Sequence, residues 1–177
     1  MAEDGIADYG SAKQKAARQA GLRDLSLLPD NDEIEAALRE YQGLYQKDDQ
    51  PAQLRRMREI ALKVMREFEA FRPALFGPVL TGTASRHSDV SLQLYPDDPK
   101  ALALFLLNRR VRFEEGARRV RRGAAIVEVP QIHMEVEGIP VTLTILDRDD
   151  ERGNAHGRAD AEPPRARLAE VQALLDP

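Results

Sequence analysis

Apolar residues along this chain change their period partway, and the change divides it into helical and extended territory. Ile34, Leu38, Tyr41 and Tyr45 recur at helical spacing behind Pro29-Asp30-Asn31-Asp32-Glu33. Short polar side chains there can cap a helix, and acidic groups suit the positive end of its dipole. After the polar stretch 46–50, Pro51 opens a second helix with an apolar stripe of Leu54, Met57, Ala61, Val64, Phe68 and Phe71. Pro73 should end it, because proline lacks an N–H donor and restricts the residue before it. Residues 31–72 are therefore expected to form an amphipathic helical hairpin.

Beyond Pro78 the period falls to two. Leu80-Thr81 reads as strand and Gly82-Thr83 as a turn. Val90, Leu92 and Leu94 then alternate with Asp89, Ser91, Gln93 and Tyr95, giving a strand with one apolar and one polar face. Pro96-Asp97-Asp98-Pro99 leads into a helix from Lys100 to Asn108. Strands are expected from Ala125 to Val136 and from Ile139 to Leu146. The Glu137-Gly138 junction suits a tight turn, since glycine accepts positive φ. Pro130 and Pro140 belong at strand ends, edges or bulges. Residues 148–165 read as a polar loop and 166–175 as a closing helix. With 1–25 as a loose tail, residues 26–177 should make one α+β domain: a mixed or mostly antiparallel sheet flanked by helices.

Composition narrows the class. The chain of 177 residues is 42% hydrophobic and 32% charged, with a net charge of −4 and no cysteine. Disulfide frameworks and thiolate metal sites are excluded. The opening residues lack the apolar core of a signal peptide. The longest apolar run, Ala101 to Leu107, is far below the ~20 residues that cross a bilayer. A cytoplasmic protein without a membrane partner is expected.

The candidate chemistry sits in Gly82-Thr83-Ala84-Ser85-Arg86-His87-Ser88-Asp89-Val90-Ser91. A glycine lets backbone approach a phosphate, and an adjacent hydroxyl donates to it. Carboxylates at i and i+2 of a strand point to one face and can share a metal. The plain reading of the same residues is a hairpin turn followed by a strand-start aspartate that caps a local N–H.

On these residues, the segment 79–146 resembles the nucleotidyltransferase fold of the DNA polymerase β-like superfamily. Its motif is Gly-Ser, a connection, then Asp-x-Asp, with a third carboxylate on a later strand. The whole chain is similar to bacterial proteins assigned to that superfamily on this segment. The resemblance implies that Gly82, Thr83, Ser88 and His87 contact the phosphates of an NTP, and that Asp89 is the catalytic and Mg²⁺-binding carboxylate. Ser91 replaces the second carboxylate, and the connection is short. The neighbouring strand, expected at 141–145, offers Thr142 and Thr144 where the third should be. Glu128, Glu135 and Asp147 are the remaining candidates to complete a metal set. The resemblance therefore implies a degenerate site, in which catalysis is lost while a nucleotide pocket persists.

Two readings stand beside it. One is a non-catalytic interaction or regulatory module, with a protein partner on the N-terminal helices. The other is RNA binding through Arg109, Arg110, Arg112, Arg118, Arg119, Arg121 and Arg122, since arginine forks suit phosphate. Glu114 and Glu115 interrupt that run, so its plain reading is a solvated loop with internal ion pairs. His87 and His133 could join Asp89 in a transition-metal site if their strands are neighbours.

Overall fold

A computed structural model describes residues 50–122, 125–151 and 164–176, with positions 13, 15–18, 28–29, 33–34, 36–37 and 40. Glu33, Ile34, Ala36, Ala37 and Glu40 are helical; the rest of the expected first helix of the hairpin lies outside the described residues. Within the segment expected as a tail, Lys13 and Lys15 to Arg18 are helical, and Ala17 is buried.

The second helix of the expected hairpin, α1 (Gln50–Glu67), buries Met57, Ile60, Ala61, Leu62, Val64 and Met65 along one stripe. A 3₁₀ turn, Glu69–Phe71, follows it. The strand β1 (Ala74–Phe76) comes next, then a helical turn α2 (Pro78–Thr81). This corrects the expectation of a strand at Leu80-Thr81. Pro78 fits the first turn of a helix, where its missing N–H costs nothing, and Gly82 closes the turn at φ 87°. Helix punctuation outweighed the apolar run Val79-Leu80.

β2 (Val90–Leu94) alternates as expected, with Val90, Leu92 and Leu94 fully buried. α3 (Pro99–Arg109) starts at Asp98, whose carboxylate accepts from Lys100 N–H at 2.9 Å. The Arg-rich segment is the strand β3 (Glu114–Arg122), not a loop. It pairs antiparallel with β4 (Ala125–Val136), from Glu114 opposite His133 to Arg122 opposite Ala125. Cross-strand pairing, which charge composition does not reveal, orders it. β5 (Ile139–Ile145) follows through Glu137 (φ 53°) and Gly138 (φ 81°), the double positive φ of a tight hairpin turn. Pro130 lies one residue beyond Gln131, the last β4 residue paired with β5, where the strand has an unpaired side.

The expected loop 148–165 contains a short helix α4 (Arg148–Glu151), and its last residue begins the strand β6 (Arg165–Ala166). α5 (Leu168–Ala173) closes the chain. The six strands form one mixed sheet in the order β3-β4-β5-β2-β1-β6. β2 and β5 are parallel and the other neighbours antiparallel.

One face of the sheet carries Leu75, Val90, Leu92, Leu94, Ile132, Val141 and Leu143 against α1, α3 and α5. Each such side chain contributes about 1.5–3 kcal/mol on burial. Phe105 of α3 packs edge-on against Phe68 and Phe71, with centroids 5.1 and 5.3 Å away. With helices on that face, residues of the opposite parity are assigned to the other.

Candidate functional site

On that other face, register sets which polar residues stand together. Phe76, Ser91, Thr142, His133 and Glu114 form one row across the sheet. Ala74, Gln93, Thr144, Gln131 and Gly116 form the next. Asp89 immediately precedes β2 in the same alternation as Ser91.

Thr142 links Asp89 to His133. Its hydroxyl donates to Asp89 Oδ2 at 3.0 Å, and its oxygen lies 3.1 Å from His133 Nδ1. A hydroxyl has one proton, and Asp89 receives it. Neutral His133 must therefore carry its own proton on Nδ1 and keep Nε2 as the acceptor. The imidazole lies over β3, where a Cβ on Gly116 would sit 2.6 Å from His133 Nε2. Only glycine leaves that room. In the next row Gln131 Nε2 donates to Thr144 Oγ1 at 3.0 Å. Tyr95 OH donates to Gln93 Oε1 and accepts from Arg165 Nη1, both at 2.6 Å. Thr142, Thr144 and Gln93 are buried, so these bonds meet a strict requirement.

The Gly82-Thr83 turn is engaged elsewhere. Gly82 N–H donates to Pro78 O at 3.0 Å as part of the α2 cap, and its carbonyl accepts from Gln50 Nε2 at 2.8 Å. Arg58 of α1 donates to the carbonyls of Val79 and Leu80, and burial lowers its pKa from the ordinary value. Thr83 is buried with its hydroxyl 3.0 Å from that of Thr81. Ser88 closes the following turn: its hydroxyl accepts from Ser85 N–H at 3.0 Å, and its own N–H donates to Ser85 O. His87 N–H donates to Ser85 Oγ, and its exposed ring accepts at Nε2 from Arg86 Nε at 3.0 Å. Backbone donors of Gly82, Ser85, His87 and Ser88 are thus satisfied within the chain, and the turn is anchored on α1.

Mg²⁺ takes near-octahedral oxygen ligands with carboxylates among them. Beside Asp89 stand the hydroxyls of Ser91 and Thr142, partners in the parallel β2–β5 register. Glu135 shares their face but stands opposite Pro140. Glu128 pairs with Arg119 on the other face, and Asp147 follows β5, its N–H donating to Asp150 Oδ2. Among the described residues no group of three or more His, Asp or Glu is placed to hold a metal ion. His133 and Asp89 are brought together through Thr142, and His87 is turned to Arg86. The residues present do not fit a magnesium ion.

Arginines reach over this face from both edges. Arg165 and Arg167 place their guanidinium carbons 6.0 and 5.3 Å from the centroid of the buried Tyr95 ring. From the other edge, Arg118 of β3 lies 5.8 Å from the Phe76 ring. β3 and β1 are four strand steps apart, roughly 19 Å on a flat sheet. The sheet therefore coils, bringing its β3 edge towards β1. Tyr95 also joins Ala74, Val129 and Leu146 in a second small apolar cluster, with Val120 and Val127 of the β3–β4 hairpin packed against it.

No family model matches this chain, and neither a curated protein nor a solved structure matches it. Fold and site define an α+β protein with a six-stranded mixed sheet, cored by helices on one face and hydroxyl-lined on the other. Sequence reasoning missed Gly116, Gln50 and Arg58. Nothing local marked any of the three, since Gly116 stands out only once β3 is known to be a strand.

Proposed function

We propose that this chain is a nucleotidyltransferase-like protein that keeps the sheet of that fold and has lost its catalytic set, and that it works by binding rather than by nucleotidyl transfer. The observation that carries this reading is the register of Ser91 with Thr142 beside Asp89. In the fold it resembles, all three positions would be carboxylates. Here one carboxylate accepts from a hydroxyl, and the other two positions are hydroxyls. Losing charge neutralisation of a leaving pyrophosphate removes several kcal/mol of transition-state stabilisation, on the order of three or more decades in rate. The Gly82 cap weighs the same way, because a phosphate on that turn would compete with Gln50 and Pro78 for its polar groups.

The test has two parts. Purified protein is incubated with each α-labelled NTP and Mg²⁺ or Mn²⁺, and no labelled product is expected; transfer by the wild type overturns the loss of catalysis. The double variant Ser91→Asp/Thr142→Asp is expected to gain a Mn²⁺ site, read by electron paramagnetic resonance, that the wild type lacks. A folded double variant that binds no Mn²⁺ overturns the correspondence with the nucleotidyltransferase site.

A further inference from the structure

The sharpest charge feature of the chain lies apart from the Asp89 site. Between Arg109 and Arg122 stand seven arginines and two glutamates, a local charge of +5 in a chain of net −4. The plain expectation of a loop closed by internal ion pairs fails at four of these arginines. Arg110, Arg112, Arg118 and Arg119 are exposed, and none forms an ion pair among the described residues. Arg119 stands directly across from Glu128 and still does not bridge to it. Among the described residues Arg118 has only the Phe76 ring. Arg109, 3.7 Å from Glu67, is the exception.

The scaffold under these charges is ordered. β3 is the outermost strand, so one row of its backbone N–H groups has no ladder partner. Its nine residues extend for roughly 30 Å, close to the ~34 Å of one duplex turn. A two-stranded ribbon has the width that a duplex groove admits. The cations are all arginine, whose planar fork matches phosphate oxygens in pairs. No aromatic side chain lies on β3, and Phe113 just before it packs on the main core, so the ribbon lacks a stacking platform for single strands.

We propose that the β3–β4 ribbon binds the phosphodiester backbone of a nucleic-acid duplex, with Arg118, Arg119, Arg121 and Arg122 supplying the phosphate contacts. The rest of the chain carries a net −9, which repels phosphate and confines contact to this ribbon.

The experiment is fluorescence anisotropy of the full chain with labelled 20-base-pair DNA and RNA duplexes from 50 to 200 mM salt. Binding should weaken with a log–log slope of roughly −3 to −4, as expected for about four neutralised phosphates. Each Arg→Gln change at 118, 119, 121 or 122 should lower that slope by about one. DNA and RNA arms decide which duplex is preferred. Circular dichroism confirms that each variant is folded. Absence of binding to either duplex at 50 mM salt overturns the proposal, as does a slope unchanged in the quadruple variant. Tighter binding to single strands, to a polyglutamate peptide or to phosphatidylglycerol vesicles also overturns it. The vesicle arm matters because Ile126, opposite Arg121, is 72% exposed.

Discussion

The Thr142 hydroxyl donates to Asp89 Oδ2 while its oxygen stands 3.1 Å from His133 Nδ1, so one side chain ties together the start of β2, β5 and β4. Thr142→Val keeps the shape and removes both bonds. The expected cost is about 1–3 kcal/mol, because Asp89 loses a donor in a half-buried place. Urea denaturation measures it. Nitrogen chemical shifts of His133 should also move from the Nδ1–H tautomer towards a mixture; an unchanged tautomer would show that Thr142 does not set it.

Gly116 and His133 form a coupled pair. Gly116→Ala drives a methyl into the imidazole edge, and the ring must leave Thr142. A loss of about 1 kcal/mol is expected in the wild-type background. In His133→Ala the same change should be neutral or mildly stabilising, since alanine restricts the unfolded chain. A double-mutant cycle measures the coupling, and additive effects would sink the claim.

Tyr95 is fully buried, and its hydroxyl is held by Gln93 and Arg165. Tyr95→Phe leaves the Gln93 carbonyl oxygen without this donor and should cost about 1–3 kcal/mol. Calorimetric melting of the two proteins at neutral pH provides the comparison. Gln93→Leu in the Phe background should recover part of the loss, since it removes the orphaned acceptor.

Acid dependence follows from the Arg72 cluster. Arg72 donates to both carboxylate oxygens of Asp97 at 3.0 and 3.1 Å and to the Tyr95 carbonyl. Its Nε lies 2.9 Å from Glu151 Oε2, close enough to pair charges but off the axis a hydrogen bond needs. The hydrogen bond from Arg72 holds the Asp97 carboxyl below its ordinary value of 3.8. A depressed folded pKa contributes stability that is present above the unfolded value and lost as pH falls through the folded one. Melting temperature should therefore drop below about pH 4, and Asp97→Asn should flatten that part of the profile. Because Asp97 is exposed, the difference should shrink in 1 M salt.

Glu137 sits at positive φ in the tight turn, with Lys63 paired to its carboxylate and Arg56 donating to its carbonyl at 3.1 Å. Glu137→Asn exchanges an ion pair for a residue at ease in that conformation. Chemical denaturation should find the variant within about 0.5 kcal/mol of wild type, since an exposed pair contributes little.

What local pattern determines here is considerable. The stripe from Met57 to Phe68 places α1, alternation around Val90-Leu92-Leu94 places β2 and its polar side, and Glu137-Gly138 places the tight turn. Each is legible because periodicity and glycine conformation act within a few residues. Gly77-Pro78 and Gly82 also carried the punctuation of α2, although the apolar residues between them suggested a strand.

Tertiary structure decided the rest. Nothing within Glu114–Arg122 marks it as a strand, because a charged edge strand is ordered by the partner it pairs with. Thr142 and His133 face each other across the β4–β5 hairpin, and Asp89, far from both in the chain, meets them only through the parallel β2–β5 register. Gln50 and Arg58 close the Gly82 turn from a helix more than twenty residues earlier. Sequence alone determined that Asp89 starts a half-polar strand with Ser91 beside it. Long-range pairing, which no local window contains, determined that Asp89 is held by a hydroxyl.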